Sequence, residues 1–343
     1  MSLKDIDIPK RMKHYNVPGL SLTLIENNQM IFTENYGVLD ARDNKIVTTD
    51  SIFSACSISK FLTAMLVTKL TEQGLLDLDE DVNVSLVSWK VPSNAFTENK
   101  KVTLRNLLSH QAGIIDPKGS FTELDLTIGT PSMFDLLAGN TPYCKESIEV
   151  TYEPESEFHY SDAGYCIIQK LVEDVTGESF QNVVDEFLFK PLTMGNSTLD
   201  MKQLATNSEV FSSGHHKNGE LVEGKYPIYP YPAASGLWTT SIDLTKLAIE
   251  LMNALKGESK IGISARRAKE IISPQGGKTW SGLGVFLEGS EKELEVTSLG
   301  WGIGFQCMMV LFPNMGKGAV IMTNAELGVH QMEGIIGEIY TSL

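Results

Sequence analysis

The chain is short of positive charge. Its 28 Lys and Arg stand against 43 Asp and Glu, a formal net charge of −15 over 343 residues. That balance opposes the counterion-release attraction behind nucleic-acid binding, so neither DNA, RNA nor an anionic membrane is an expected partner. Cysteine is also sparse. Cys56, Cys144, Cys166 and Cys307 lie far apart without a CxxC spacing, which predicts reduced, buried thiols and no disulfide framework. No run of about 18 apolar residues occurs, so no transmembrane segment is expected. The stretch from Met1 to Lys10 lacks the basic, apolar and small-residue order of an export signal, which makes the cytoplasm the expected compartment for the chain as given.

Several chemical signatures are missing as well. There is no GxSxG elbow and no HExxH pair among the six histidines, and Gly300, Gly302 and Gly304 alternate without the GxGxxG order. Neither a metal nor a nucleotide cofactor is expected. His215-His216, inside Ser-Ser-Gly-His-His-Lys-Asn-Gly, reads as a solvated loop, and His110 reads as a residue closing a helix.

What is present is a two-part pattern. Residues 20–25 and 30–33 alternate like strands around a turn at 26–29, and strand-like segments return at 283–287, 294–297, 305–312 and 319–323. Between these ends the apolar period is helical, at 57–73, 104–109, 133–138, 161–176, 180–187 and 243–255, and a last helix is expected from Val329. The expected fold is therefore an antiparallel sheet flanked by helices, built from both chain ends (residues 1–75 and 235–343), with a mostly helical domain inserted at 76–234.

The first helical segment carries Ser57-Ile58-Ser59-Lys60, the one SxxK in the chain. A spacing of three puts Ser57 and Lys60 on one helical face. A helix amino terminus disfavours a lysine cation, and burial behind Ile58 and Phe61 lowers its pKa further, so both effects predict a neutral amine beside a hydroxyl. A base beside a nucleophile is the arrangement of covalent catalysis. The pattern is short, and a serine and lysine three apart also decorate ordinary exposed helices.

Longer stretches add weight to it. Val17-Pro18-Gly19, Phe53-Ser54-Ala55-Cys56-Ser57, Leu107-Leu108-Ser109-His110-Gln111-Ala112-Gly113, Tyr160-Ser161-Asp162-Ala163-Gly164, Gly236-Leu237-Trp238 and Met322-Thr323-Asn324 occur in an order that covers nearly the whole chain. In these the chain resembles the serine β-lactamase and penicillin-binding-protein superfamily, in its class C β-lactamase-like branch with family VIII carboxylesterases and D-aminopeptidases. The resemblance implies a β-lactamase/transpeptidase-like fold, Ser57 as nucleophile, and Tyr160 as the group relaying protons between Ser57, Lys60 and the leaving group.

Two positions depart from the family pattern. Asp162 stands where Tyr-x-Asn has asparagine, and a carboxylate there holds Lys60 protonated, against the neutral-amine scheme. Both schemes stay open at this point. The family's Lys-Thr-Gly or His-x-Gly aligns with Ser298-Leu299-Gly300, which lacks the cation or imidazole. An anionic substrate loses a charge-assisted contact of roughly 1.5 to 3 kcal/mol. The resemblance further nominates the backbone N–H groups of Ser57 and Trp301 as an oxyanion hole, with Gly300 allowing close approach. Trp238 and Trp301 fit a core role and an acyl-pocket wall equally well.

The expectation is a metal-free and cofactor-free serine hydrolase that acylates Ser57 with esters, amides or D-amino-acid peptides and turns over β-lactams weakly or not at all. The alternatives are a penicillin-binding or sensing protein of the same fold and a cell-wall D,D-peptidase. The partner is a small-molecule or peptide substrate.

Overall fold

The computed structural model describes residues 6–200, 202 and 209–343. Its centre is a six-stranded antiparallel sheet in the order β2-β1-β8-β7-β6-β5. The strands are β1 (Gly19–Glu26), β2 (Gln29–Gly37), β5 (Phe286–Glu288), β6 (Glu295–Gly302), β7 (Phe305–Phe312) and β8 (Lys317–Thr323). A separate two-stranded ribbon pairs β3 (Phe53–Ser54) with β4 (Trp238–Thr239). The expected hairpin is present with a tighter turn. Asn27 and Asn28 both adopt positive φ, 54° and 58°, the signature of a two-residue turn whose twist matches its strands.

Helices cover both faces of the sheet. On one face α1 (Ile8–Tyr15) and the carboxy-terminal α11 (Ile335–Ser342) bury Ile8, Met12, Ile336 and Ile339 against Leu20, Leu22, Met308 and Ile321. Helix α1 escaped the periodicity analysis, although Asp7 caps it through its side chain and Pro9 sits in its first turn. Helix α11 begins later than the expected Val329, because a 3₁₀ turn at Gln331–Glu333 and the extended backbone of Gly334 intervene.

The opposite face supplies the larger core. Cys307, Met309, Val320 and Met322, the alternate residues of β7 and β8, pack with α2 (Ser59–Glu72) and α9 (Ser241–Leu255). Ser21 and Thr23 of β1 also face this side, where both hydroxyls hydrogen-bond Ser241 Oγ, at 2.7 and 2.8 Å. Between α2 and α9 in sequence run α3 (Leu104–Leu108), α4 (Met133–Leu137), α5 (Asp162–Thr176), α6 (Phe180–Val184), α7 (Lys190–Leu192) and α8 (Pro232–Ser235), while α10 (Ala265–Ile271) follows α9.

Helix α2 corrects the sequence reading in two ways. It starts at Ser59, and Ser57 lies in a preceding 3₁₀ turn, Cys56–Ile58, entered through a left-handed Cys56 at φ 47°. It is also not amphipathic. Every residue from Ser59 to Thr71 except Lys69 is buried, so Lys60 sits inside the protein and not on a solvated face. All four cysteines are buried and unpaired. No described helix is long and apolar enough to cross a membrane.

Candidate active site

The turn that carries Ser57 is held from three directions. Ala55 N donates to Leu237 O at 2.9 Å, which extends the β3–β4 ribbon to the doorstep of Ser57. Ser59 Oγ donates to Cys56 O at 2.6 Å and accepts from Leu237 N at 2.9 Å, so the second serine of the SxxK stretch is an anchor. Gly300 of β6 lies so close that a Cβ there would stand 2.3 Å from both Ala55 O and Cys307 Sγ. Only glycine lets the strand approach the turn at this distance.

Lys60 is 2 % exposed and its ammonium has three acceptors. Nζ donates to Asp162 Oδ1 at 2.6 Å, to Ala234 O at 3.0 Å and to Ser57 Oγ at 3.4 Å. An ammonium has three N–H groups and no lone pair, so all of its hydrogen-bonding capacity is committed. Burial pushes the Lys60 pKa down, but Asp162 and Tyr160 outweigh it and hold the group above its ordinary value. The neutral-amine scheme is thereby overturned by a partner 102 residues away in sequence. The Ala234 carbonyl, at the end of the short helix α8, has no sequence signal at all.

Tyr160 stands over this pair, with Lys60 Nζ 4.7 Å from its ring centroid. The residue is 43 % exposed, and its hydroxyl interacts with Lys60 and Ser57. Burial raises the phenol pKa, Lys60 lowers it, Asp162 raises it again, and the net direction is upward. A nearby ammonium alone predicts the opposite. The resting tyrosine is therefore a phenol at neutral pH.

His110 is more than a helix terminator. It follows α3 in a left-handed conformation, φ 59°, and its ring stacks on Tyr160 at 4.3 Å. Its Nδ1 accepts the Ser161 N–H at 3.1 Å, which fixes it as a neutral imidazole. His215, expected in a solvated loop, is fully buried, donating from Nδ1 to Asn324 O at 2.8 Å and accepting the Ala41 N–H on Nε2 at 3.0 Å. Burial, with Lys60 for His110, depresses both pKa values. An unfolded chain protonates these histidines near pH 6.5, so stability is intact above that pH and falls as the pH drops toward the folded-state values. Each contributes a slope of up to about 1.4 kcal/mol per pH unit. Urea midpoints compared at pH 7 and pH 5 should fall accordingly, and His110→Gln should flatten the slope by about one proton.

Ser298 lies on the face of β6 turned toward Ser57, and Trp301, three residues on, directs its side chain to the opposite face. Ser298 is buried and lines a cavity of about 20 Å³ together with Ser57, Lys60, His110, Tyr160 and Phe286. That volume takes about one water molecule. An imidazole or lysine at 298 would have to displace its neighbours. In an antiparallel ladder residues alternate between bonding their partner and turning outward. The Gly302–Phe305 pair closes the two-residue loop, so Trp301 turns its N–H to the opposite edge, which β5 covers only as far as Thr297. The Trp301 side chain is 44 % exposed, whereas Trp238 is a core residue against Phe211, Tyr226 and Phe305.

A larger cavity, about 900 Å³, lies elsewhere, among Met252, Leu255, Ile272, Trp280 and Leu294.

A hydroxyl, a buried ammonium and a tyrosine are thus gathered beside an antiparallel sheet flanked by helices. The Beta-lactamase family model matches residues 7–334, and the chain belongs to that family. It is 25% identical over 239 residues to Protein flp of Staphylococcus aureus (strain MW2), covering 69% of this chain and 44% of that protein. Beta-lactamase-like protein 4 of Dictyostelium discoideum is 26% identical over 299 residues, 79% of this chain and 49% of that one. The chain thus spans about half the length of these relatives. Among solved structures, the penicillin binding protein from Bacillus halodurans superposes with a TM-score of 0.77 at 18% identity, covering 99% of this chain and 98% of that one. The D-alanine carboxypeptidase AmpC from Burkholderia cenocepacia gives 0.74 at 19%, over 98% and 97%. EstCE1, a hydrolase with promiscuous acyltransferase activity, gives 0.77 at 17%, over 98% and 96%. At these identities the likeness establishes the shared fold.

Proposed function

We propose that the protein is a serine hydrolase that works through an acyl-enzyme on Ser57, in a cleft between the sheet lobe (residues 1–75 and 235–343) and the inserted lobe (76–234). The observation that carries this reading is the single ammonium of Lys60 joining Ser57 Oγ to Asp162, with Tyr160 above both. In its minor phenolate form Tyr160 takes the proton of Ser57 Oγ as the serine attacks the substrate carbonyl, and the phenol so formed delivers it to the leaving group. Lys60 remains charged and stabilises the phenolate. The N–H groups of Ser57 and Trp301 receive the developing oxyanion. Water then releases the acyl group, with Tyr160 as its base.

The substrates that suit the site are neutral esters and amides, with D-amino-acid peptides behind them, because Ser298 offers no charge to a carboxylate. A fluorophosphonate reagent tests the reading. One covalent adduct per chain, mapped to Ser57, is expected, together with hydrolysis of short p-nitrophenyl esters. A chain that neither takes the label nor cleaves the esters is not this enzyme.

The upward-shifted Tyr160 favours one second reading, a penicillin-binding protein whose acyl-enzyme persists because the deacylating base is protonated at neutral pH. Asp162 is the lever. Its charge disfavours the phenolate, so Asp162→Asn lowers the Tyr160 pKa, and each unit is worth tenfold in phenolate at pH 7. The expected result is a higher ester kcat at pH 7, with the alkaline limb of the rate profile moved to lower pH. An unchanged profile would remove Asp162 from the titration.

A further inference from the structure

The chemistry above leaves Asp116 without a role, yet this residue grips the segment that carries two of the site's groups. Asp116 Oδ1 accepts Ser161 Oγ–H at 2.6 Å and the Ala163 N–H at 3.0 Å, and Oδ2 accepts the Asp162 N–H at 2.8 Å. With His110 Nδ1 on the Ser161 N–H, three successive amides are bound by side chains from the one stretch that follows α3. Tyr160 immediately precedes those amides, and Asp162 is among them.

A helix start needs partners for its first N–H groups, and Ser161 already caps α5 by accepting the Gly164 N–H on Oγ at 3.1 Å. The second carboxylate carries a cost. Burial and the neighbouring Asp162 both push the Asp116 pKa up. Capping alone therefore does not account for it. What Asp116 adds is direction. With the peptide planes at 161–163 fixed, the Asp162 side chain is set toward Lys60 and the side chain of the preceding Tyr160 toward Ser57.

We propose that Asp116 is a positioning residue for the hydrolysis proposed above, acting through the placement of Asp162 and Tyr160. This rests on the serine-hydrolase reading. Misplacing a reacting group by about 1 Å costs on the order of 100-fold in rate, so Asp116→Ala should lower kcat for p-nitrophenyl acetate by about that factor, with KM changed by less than about threefold. Asp116→Asn keeps one accepting oxygen and turns an NH₂ toward the Asp162 N–H, so it should recover part of the loss.

Rates are read per active site, counted by fluorophosphonate titration, so a variant that merely folds poorly does not register as a kcat defect. In an Asp162→Asn background the Asp116→Ala loss should shrink, because the two act on the same geometry. Hydrogen exchange at the Asp162 and Ala163 amides should accelerate in Asp116→Ala. A kcat per site equal to wild type, or losses that simply multiply in the double variant, overturns the assignment. An unlabelled, inactive wild type overturns the hydrolase reading itself, whereas an active wild type beside an unimpaired Asp116→Ala overturns only the role of Asp116.

Discussion

Lys60→Ala is expected to abolish most activity and to weaken the fold at the same time. The ammonium joins the serine to the carboxylate and also interacts with the tyrosine hydroxyl. Without it Ser57 Oγ loses its donor, and the phenolate form of Tyr160 loses the one charge that favours it. Ester turnover should drop by at least about 100-fold. The stability change follows from which partner is left behind. Breaking a buried pair costs about 3–5 kcal/mol, because the survivor is a desolvated, unpaired charge. The side chains of Lys60 and Asp162 are 3% and 25% exposed. Lys60→Ala leaves the partly solvated carboxylate, so its cost should lie near the lower figure, whereas Asp162→Ala strands the buried ammonium and should lie near the upper one. Urea unfolding of both single variants and the double variant checks this. The double variant should lose less than the sum, and simple additivity would show that the pair is not coupled.

Tyr160→Phe separates chemistry from packing. Phenylalanine keeps the stack on His110 and the ring face beneath Lys60, so stability should move by no more than about 1 kcal/mol. Only the hydroxyl is lost, and with it the proton relay. A fall in kcat of about 100-fold or more is expected, together with disappearance of the alkaline rise in the rate profile. Wild-type kinetics in this variant would assign the base to another group and would also remove the explanation for a slow deacylation at neutral pH.

These effects depend on residues of very different visibility in the sequence. Helix α9 was legible through its periodic apolar face, and β7 through an unbroken apolar run bounded by turns. Ser57 and Lys60 were legible through a three-residue spacing, and Tyr160, Asp162, Ser298, Gly300 and Trp301 only through family resemblance. The protonation states were not, because each is set by opposing contributions from groups brought together by the fold. The Lys60 amine is set by burial against Asp162 and Tyr160, and the Tyr160 phenol by the balance of burial, Lys60 and Asp162. Asp116 and His110 went unrecognised for the same reason. Their partners are backbone and ring atoms at 160–163, and no local pattern announces such a contact.

The enclosure of α2 on every side has a bearing on how this protein adapts to a ligand. A rod gripped all around cannot tilt or slide at its tip without disrupting the core, so the serine is a fixed point. Plasticity falls to the surroundings: the segment with Tyr160, the Trp280–Phe286 stretch and the outer edge of β6. Successive substrates would be accommodated by remodelling those walls around an immobile nucleophile.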